Sequence, residues 1–128
     1  MARKPMPSRR TCVTQRVSID GQKLYLTIGF SDVANTQIGE VFLVMQKTGQ
    51  QERALFDEIA RSASKRLQLG ESLETLATSW LGTKLKPCGT VVGDARIKLC
   101  NGPLDWAGRH LLIQYCGRED LAHVKEKA

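Results

Sequence analysis

Between Thr11 and Asp20 the apolar side chains Val13, Val17 and Ile19 keep to odd positions, and the alternation resumes at Leu24, Leu26 and Ile28. A period of two turns one face of a strand toward a core. The runs are separated by Asp20-Gly21, a pair that tolerates the positive backbone angles of a two-residue reversal, so the pattern predicts a hairpin of strands 13–19 and 24–30. Residues 41–45 are apolar throughout, which predicts a third strand buried on both faces. The period then lengthens. Leu55, Ile59, Ala63 and Leu67 recur every four residues, with Phe56 and Ala60 beside them, and predict a helix over 51–69 whose outer face carries Arg53, Asp57, Glu58, Arg61, Lys65 and Arg66. Gly70 is placed to end it.

Leu73, Leu76, Ala77 and Trp80 predict a second amphipathic helix with Trp80 as a core anchor, and Pro103 suits the first turn of a third, whose inner face is Leu104, Ala107, Leu111 and Tyr115. Strands come first and helices after, without alternation. This order predicts an α+β fold: an antiparallel three-stranded sheet, the N-terminal hairpin plus a third strand, covered on one face by about three helices.

Length and composition add boundaries to this picture. The chain has 128 residues, 41% hydrophobic and 25% charged, enough for one core. The expected organisation is a basic flexible arm at 1–10, a single domain at 11–124 and a polar tail at 125–128. No apolar run is long enough to span a bilayer, and the basic N-terminus is not followed by an apolar signal core, so a cytoplasmic setting is the expectation.

Charge is concentrated at the start. Arg3, Lys4, Arg9 and Arg10 precede the first acid, Asp20, and removing the first ten residues lowers the formal net charge from +6 to +2. Such an arm can neutralise phosphates of nucleic acid, as can the helical cations Arg61, Lys65 and Arg66. A solvated leader or linker remnant is the favoured explanation of the arm, because it carries no aromatic residue to stack on bases.

The four cysteines, at 12, 88, 100 and 116, form no Cys-x-x-Cys pair. A zinc site from Cys88, Cys100, Cys116 and His110 needs convergence in space, whereas buried thiols acting as small apolar groups need nothing further, so no metal and no cofactor are expected. Only His110 and His123 are natural general bases, and neither has a recognisable triad neighbourhood in the sequence.

The segment 84–98 is the most suggestive for ligand chemistry. Glycine lets backbone amides approach an anion and nearby cations neutralise it, so Lys84, Lys86, Gly89, Thr90, Gly93, Arg96 and Lys98 form a candidate nucleotide-phosphate site, with Arg9 and Arg10 as distal contacts. The segment matches neither a Walker pattern nor a dinucleotide fingerprint, and a basic surface loop accounts for the same residues.

Read in order, the residues carry a family likeness. Arg9 and Arg10 precede the paired strands; Gly39, Glu40, Val41 and Phe42 are similar to a Gly-Glu-Ile-Phe strand; Leu104, Asp105, Trp106 and Arg109 are similar to a helix reading Leu-Asp-Tyr and continuing to an Arg. The chain closes on Gly117, Arg118, Glu119, Asp120, Leu121, Ala122, His123 and Val124. Over residues 8–124 the sequence resembles the C-terminal region of adenosylcobalamin-dependent ribonucleoside-diphosphate reductases, a TSCPD-type domain. It departs from that pattern where Phe-Glu-Pro-Ala-Gly becomes Leu85, Lys86, Pro87, Cys88 and Gly89, and it contains no Thr-Ser-Cys-Pro-Asp string.

The resemblance implies an accessory role in deoxyribonucleotide metabolism, without catalysis by this chain alone, because a reductase barrel needs several hundred residues. The expected partners are a nucleotide or a reductase subunit, with a homo-oligomer also expected. The alternatives are a nucleic-acid-binding protein using the basic arm and a protein that sequesters a nucleotide signal. For Glu119 and Asp120 a helix start or turn is the expected role, with Leu121 and Val124 docking on the core.

Overall fold

The computed structural model describes residues 3, 6–46 and 49–124. Its elements run β1 (Cys12–Ile19), β2 (Gln22–Phe30), β3 (Ile38–Met45), α1 (Gln50–Gln68), α2 (Leu73–Trp80), β4 (Gly89–Val92), β5 (Leu99–Cys100) and α3 (Pro103–Tyr115), followed by a 3-10 turn at Glu119–Leu121. The α+β class is as expected. The sheet has five strands rather than three, in the order β3-β2-β1-β4-β5, with every neighbouring pair antiparallel. The extra strands are four and two residues long, too short to show a period of two, and β4 is held by pairing with Ser18 and Ile19 at the end of β1.

The β1–β2 hairpin forms as the alternation predicts. Ile19 pairs with Gln22, and Asp20 and Gly21 take φ of 49° and 82° between them, the geometry a tight reversal matching strand twist requires. The buried face of the sheet presents Val17, Ile19, Leu24, Leu26, Ile28, Val41 and Leu43, which join one core with the helices. The third strand is not buried on both faces: Phe42 and Val44 point the other way and are 42% and 49% exposed.

Helix α1 meets β3 along that strand's outer edge. The Val41 N–H donates to Ser64 Oγ at 3.0 Å, the Ser64 hydroxyl donates back to the Val41 carbonyl at 3.3 Å, and Gln68 Nε2 donates to the Gly39 carbonyl at 2.9 Å. An edge strand otherwise offers unpaired backbone groups to any passing chain. These two polar side chains occupy those of Gly39 and Val41, which explains why Ser64 and Gln68 are buried within an apolar stripe. The stripe is Phe56, Ala60, Ala63 and Leu67, one position from the expected start, since Leu55 is 58% exposed.

Helices α2 and α3 cross closely. At Gly108 an added Cβ would lie 2.6 Å from the Ala77 carbonyl oxygen and 3.1 Å from Trp80 Cβ, so the approach requires the missing side chain. Trp80 is buried, as expected of a core anchor. Helix α3 is buried on nearly every side over Pro103–Leu112. That accounts for Trp106, which lies off the expected inner face yet is fully enclosed.

Part of the basic arm is engaged. Arg3 Nε donates to Gln68 Oε1 at 2.6 Å, and Arg10 grips Glu40 through Nε at 2.9 Å and Nη2 at 2.7 Å. Met1, Ala2, Lys4 and Pro5 of the arm, and the tail 125–128, lie outside the described residues. Among the described residues no helix is long and apolar enough to cross a membrane.

Candidate functional site

The segment between α2 and α3 is tied to the core by two buried aspartates. Asp105, in the first turn of α3, accepts from the Gly82 N–H at 2.8 Å through Oδ1 and from the Asn101 N–H at 2.9 Å through Oδ2. Its place near a helix N-terminus also suits a negative charge. Asp94 does more. Its Oδ1 accepts from the backbone N–H groups of Arg96 at 2.8 Å and Ile97 at 3.1 Å, and its Oδ2 accepts from Trp106 Nε1 at 3.0 Å and faces His110 Nδ1 at 3.3 Å. The Trp106 and His110 rings stack with centroids 5.1 Å apart.

Burial alone would raise the Asp94 pKa, but the hydrogen bonds from His110, Arg96, Trp106 and Ile97 outweigh it and hold the carboxyl at about 2. A carboxylate satisfied by this many donors is an anchor. His110 is thereby assigned a neighbour that its sequence context did not reveal.

The candidate phosphate residues fall into separate places. Gly89 and Thr90 pair with Cys100 and Leu99, and the Val91 N–H donates to the Lys98 carbonyl, so 89–100 is a short hairpin. Gly93 takes φ of 104°, and a Cβ there would stand 3.2 Å from the Arg16 carbonyl oxygen, so the glycine serves a close approach to β1. Lys84 and Lys86 are exposed beside this hairpin. Lys98 Nζ donates to the Asp94 carbonyl at 3.2 Å.

Arg96 is bound by the C-terminal segment. It is ion-paired with Glu119, its Nε donates to the Val124 carbonyl at 2.9 Å, and its own carbonyl accepts from the N–H groups of His123 and Val124. His123 Nδ1 accepts from the Lys98 N–H at 2.9 Å, and Arg109 Nη1 donates to the Leu121 carbonyl at 2.8 Å.

Residues 117–124 are therefore a strap over the 94–99 turn. Glu119 and Asp120 do stand in a turn, but their carboxylates go to Arg96 and Arg118, and no side chain caps the turn. Leu121 packs on the core and Ala122 is buried, whereas Val124 holds by its backbone and leaves its side chain exposed.

Arg9 and Arg10 are not brought to this hairpin. They precede Cys12, whereas β4 joins β1 at its other end, and eight strand residues at about 3.3 Å each separate them by roughly 26 Å. The cysteines are also dispersed: Cys12 and Cys88 are exposed, correcting the expectation of buried thiols, while Cys100 is buried. Burial pushes the Cys100 and Cys116 thiols up. Among the described residues no three His, Cys, Asp or Glu side chains converge on a metal position.

A cleft of about 450 Å³ lies at the opposite, C-terminal end of α3, lined by Gln37, Gly39, Gln68, Glu71, Ser72 and Tyr115 among others. No sequence signal marked it, because its walls come from the 31–39 loop and three helix ends. Among the described residues no Lys, Arg or His lines it.

The TSCPD domain family matches residues 2–101. A vitamin B12-dependent ribonucleotide reductase of Agrobacterium fabrum is 38% identical over 95% of this chain, which covers 9% of that protein; its counterpart in Bradyrhizobium diazoefficiens is 36% identical over 95% of the chain and 10% of that protein. A reductase of the same name from Rhodopirellula baltica is 26% identical over 98% of the chain. No solved structure matches. The chain thus spans about a tenth of the length of the curated relatives it matches, and with most of its residues under the family's pattern it belongs to the TSCPD domain family.

Proposed function

We propose that this chain is a non-catalytic accessory domain in deoxyribonucleotide metabolism that acts by associating with a vitamin B12-dependent ribonucleotide reductase polypeptide. The observation that carries this reading is the extent of the likeness, 95% of this chain against 9% and 10% of two reductases, so one segment of a long polypeptide corresponds to the chain as a unit. The polar core adds support. Among the described residues, the buried groups suited to acid–base work, Glu40, Asp94, Asp105 and His110, are committed to hydrogen bonds within the fold.

The test uses the Agrobacterium fabrum reductase with its matching segment deleted. Adding this chain in trans should restore ribonucleotide reduction lost on deletion, and an unchanged rate at saturating chain would overturn the reading.

A second reading, nucleotide binding by the 84–98 segment, is favoured by the exposed Lys84 and Lys86 beside the 89–100 hairpin. Arg96 joins such a site only if a phosphate displaces Glu119. Equilibrium dialysis against nucleoside triphosphates tests it: changing Lys86 and Arg96 together to Ala should abolish retention, and a loss below about twofold would count against the site.

A further inference from the structure

The face of the sheet opposite the core carries a pattern that the accessory reading does not use. Alternation and register place Thr14, Arg16 and Ser18 of β1, Lys23, Tyr25 and Thr27 of β2, and Phe42 and Val44 of β3 on it. Tyr25 stands between Arg16 and Val44 in one row, and Thr27 between Thr14 and Phe42 in the next; the Thr14 and Thr27 hydroxyls are 2.9 Å apart. The rings of Tyr25 and Phe42 therefore belong to diagonal neighbours on adjacent strands, about 7–8 Å apart at the backbone. Val92 of β4, 65% exposed, extends the surface beyond Ser18.

We propose that this outer sheet face binds single-stranded nucleic acid, with Tyr25 and Phe42 stacking on successive bases and Arg16 and Lys23 meeting the phosphates. Charge selects this occupant. Arg16 and Lys23 are exposed; of the acids bordering these rows, Glu40 is neutralised by a two-point grip from Arg10, and Asp57 of α1 lines the adjoining groove together with Arg3 and Arg61. On α1, by contrast, Arg61 is paired with Glu58 and Arg66 with Glu71, so that helix offers a polyanion much less net attraction than the sheet. A sheet face with two rings, hydroxyls and cations fits unstacked bases, which have apolar faces and a charged backbone. A duplex hides those faces. Helix α1 lies along the β3 edge and leaves Phe42 and Val44 exposed beside it.

The experiment is fluorescence anisotropy of a labelled 12-nucleotide oligothymidylate with the whole chain, across a salt series. Binding is expected to weaken as salt rises. Phe42→Ala should weaken it about tenfold, and Arg16→Gln with Lys23→Gln should reduce the log–log salt slope by about 1.4. Phe42→Leu keeps apolar bulk and removes only the ring; it should lose affinity comparably while keeping the wild-type melting curve, so that loss of fold is separated from loss of stacking. The proposal is overturned if these variants bind like wild type or if a blunt duplex of the same length binds as tightly. It is equally overturned if the oligonucleotide does not bind and Phe42→Leu instead breaks a dimer seen by sedimentation, which would make the face a protein interface.

Discussion

Replacing Asp94 by Asn keeps the size of the side chain and removes its charge. One oxygen can still accept from the Arg96 and Ile97 amides, but the new amide group turns N–H toward Trp106 Nε1 and His110 Nδ1, which approach the native oxygen at 3.0 and 3.3 Å. Two donors then face each other in a buried setting, a loss typically of a few kcal/mol.

The charge contributes separately and can be isolated by pH. The carboxyl sits at about 2 in the fold against 3.8 for an ordinary aspartate. At 1.36 kcal/mol per unit this difference corresponds to about 2 kcal/mol. Because the folded pKa is depressed, this stability is fully present above pH ~4 and is lost as pH falls through about 2. Urea unfolding of both proteins at pH 7 and at pH 2 measures it. The wild type should be more stable at pH 7, and its advantage should shrink by about 2 kcal/mol at pH 2. An advantage that stays constant across this range would refute the assignment of Asp94 as an ionised anchor.

Other expectations test other joints of the fold. Gly108→Ala forces a methyl group into the Ala77 carbonyl and should destabilise by about 1–3 kcal/mol in thermal melts. Ser64→Ala strips the partner from the Val41 N–H and C=O and should cost about 2 kcal/mol, with a tendency to associate through the β3 edge seen by light scattering. In thiol labelling followed by mass spectrometry, Cys12 and Cys88 should react quickly, while Cys100, buried and with its pKa raised, should lag far behind until the chain unfolds.

Those elements whose cause is local could be read from the sequence. The hairpin follows from alternation and one Asp-Gly pair, and α1 from a four-residue period, because neighbouring positions alone decide them. β4 and β5 exist only because the end of β1 offers a partner, and nothing within four or two residues announces that. The same reason separates the reading of the 84–98 segment in order from the contacts its residues make. Lys98, Arg96 and Gly93 look like a phosphate loop when read in order, yet the first donates to Asp94, the second is held by Glu119 twenty-three residues away, and the third permits a close approach to β1. His110 gave no sign of its partner, since Asp94 lies sixteen residues earlier and outside its helix.

The association with a reductase is tested most directly by sedimentation velocity of the labelled chain mixed with the Agrobacterium fabrum reductase lacking its matching segment. The account predicts that the label moves with the large polypeptide and that excess unlabelled chain releases it. A label that sediments at its own rate at every concentration of the truncated reductase would contradict the accessory-domain reading.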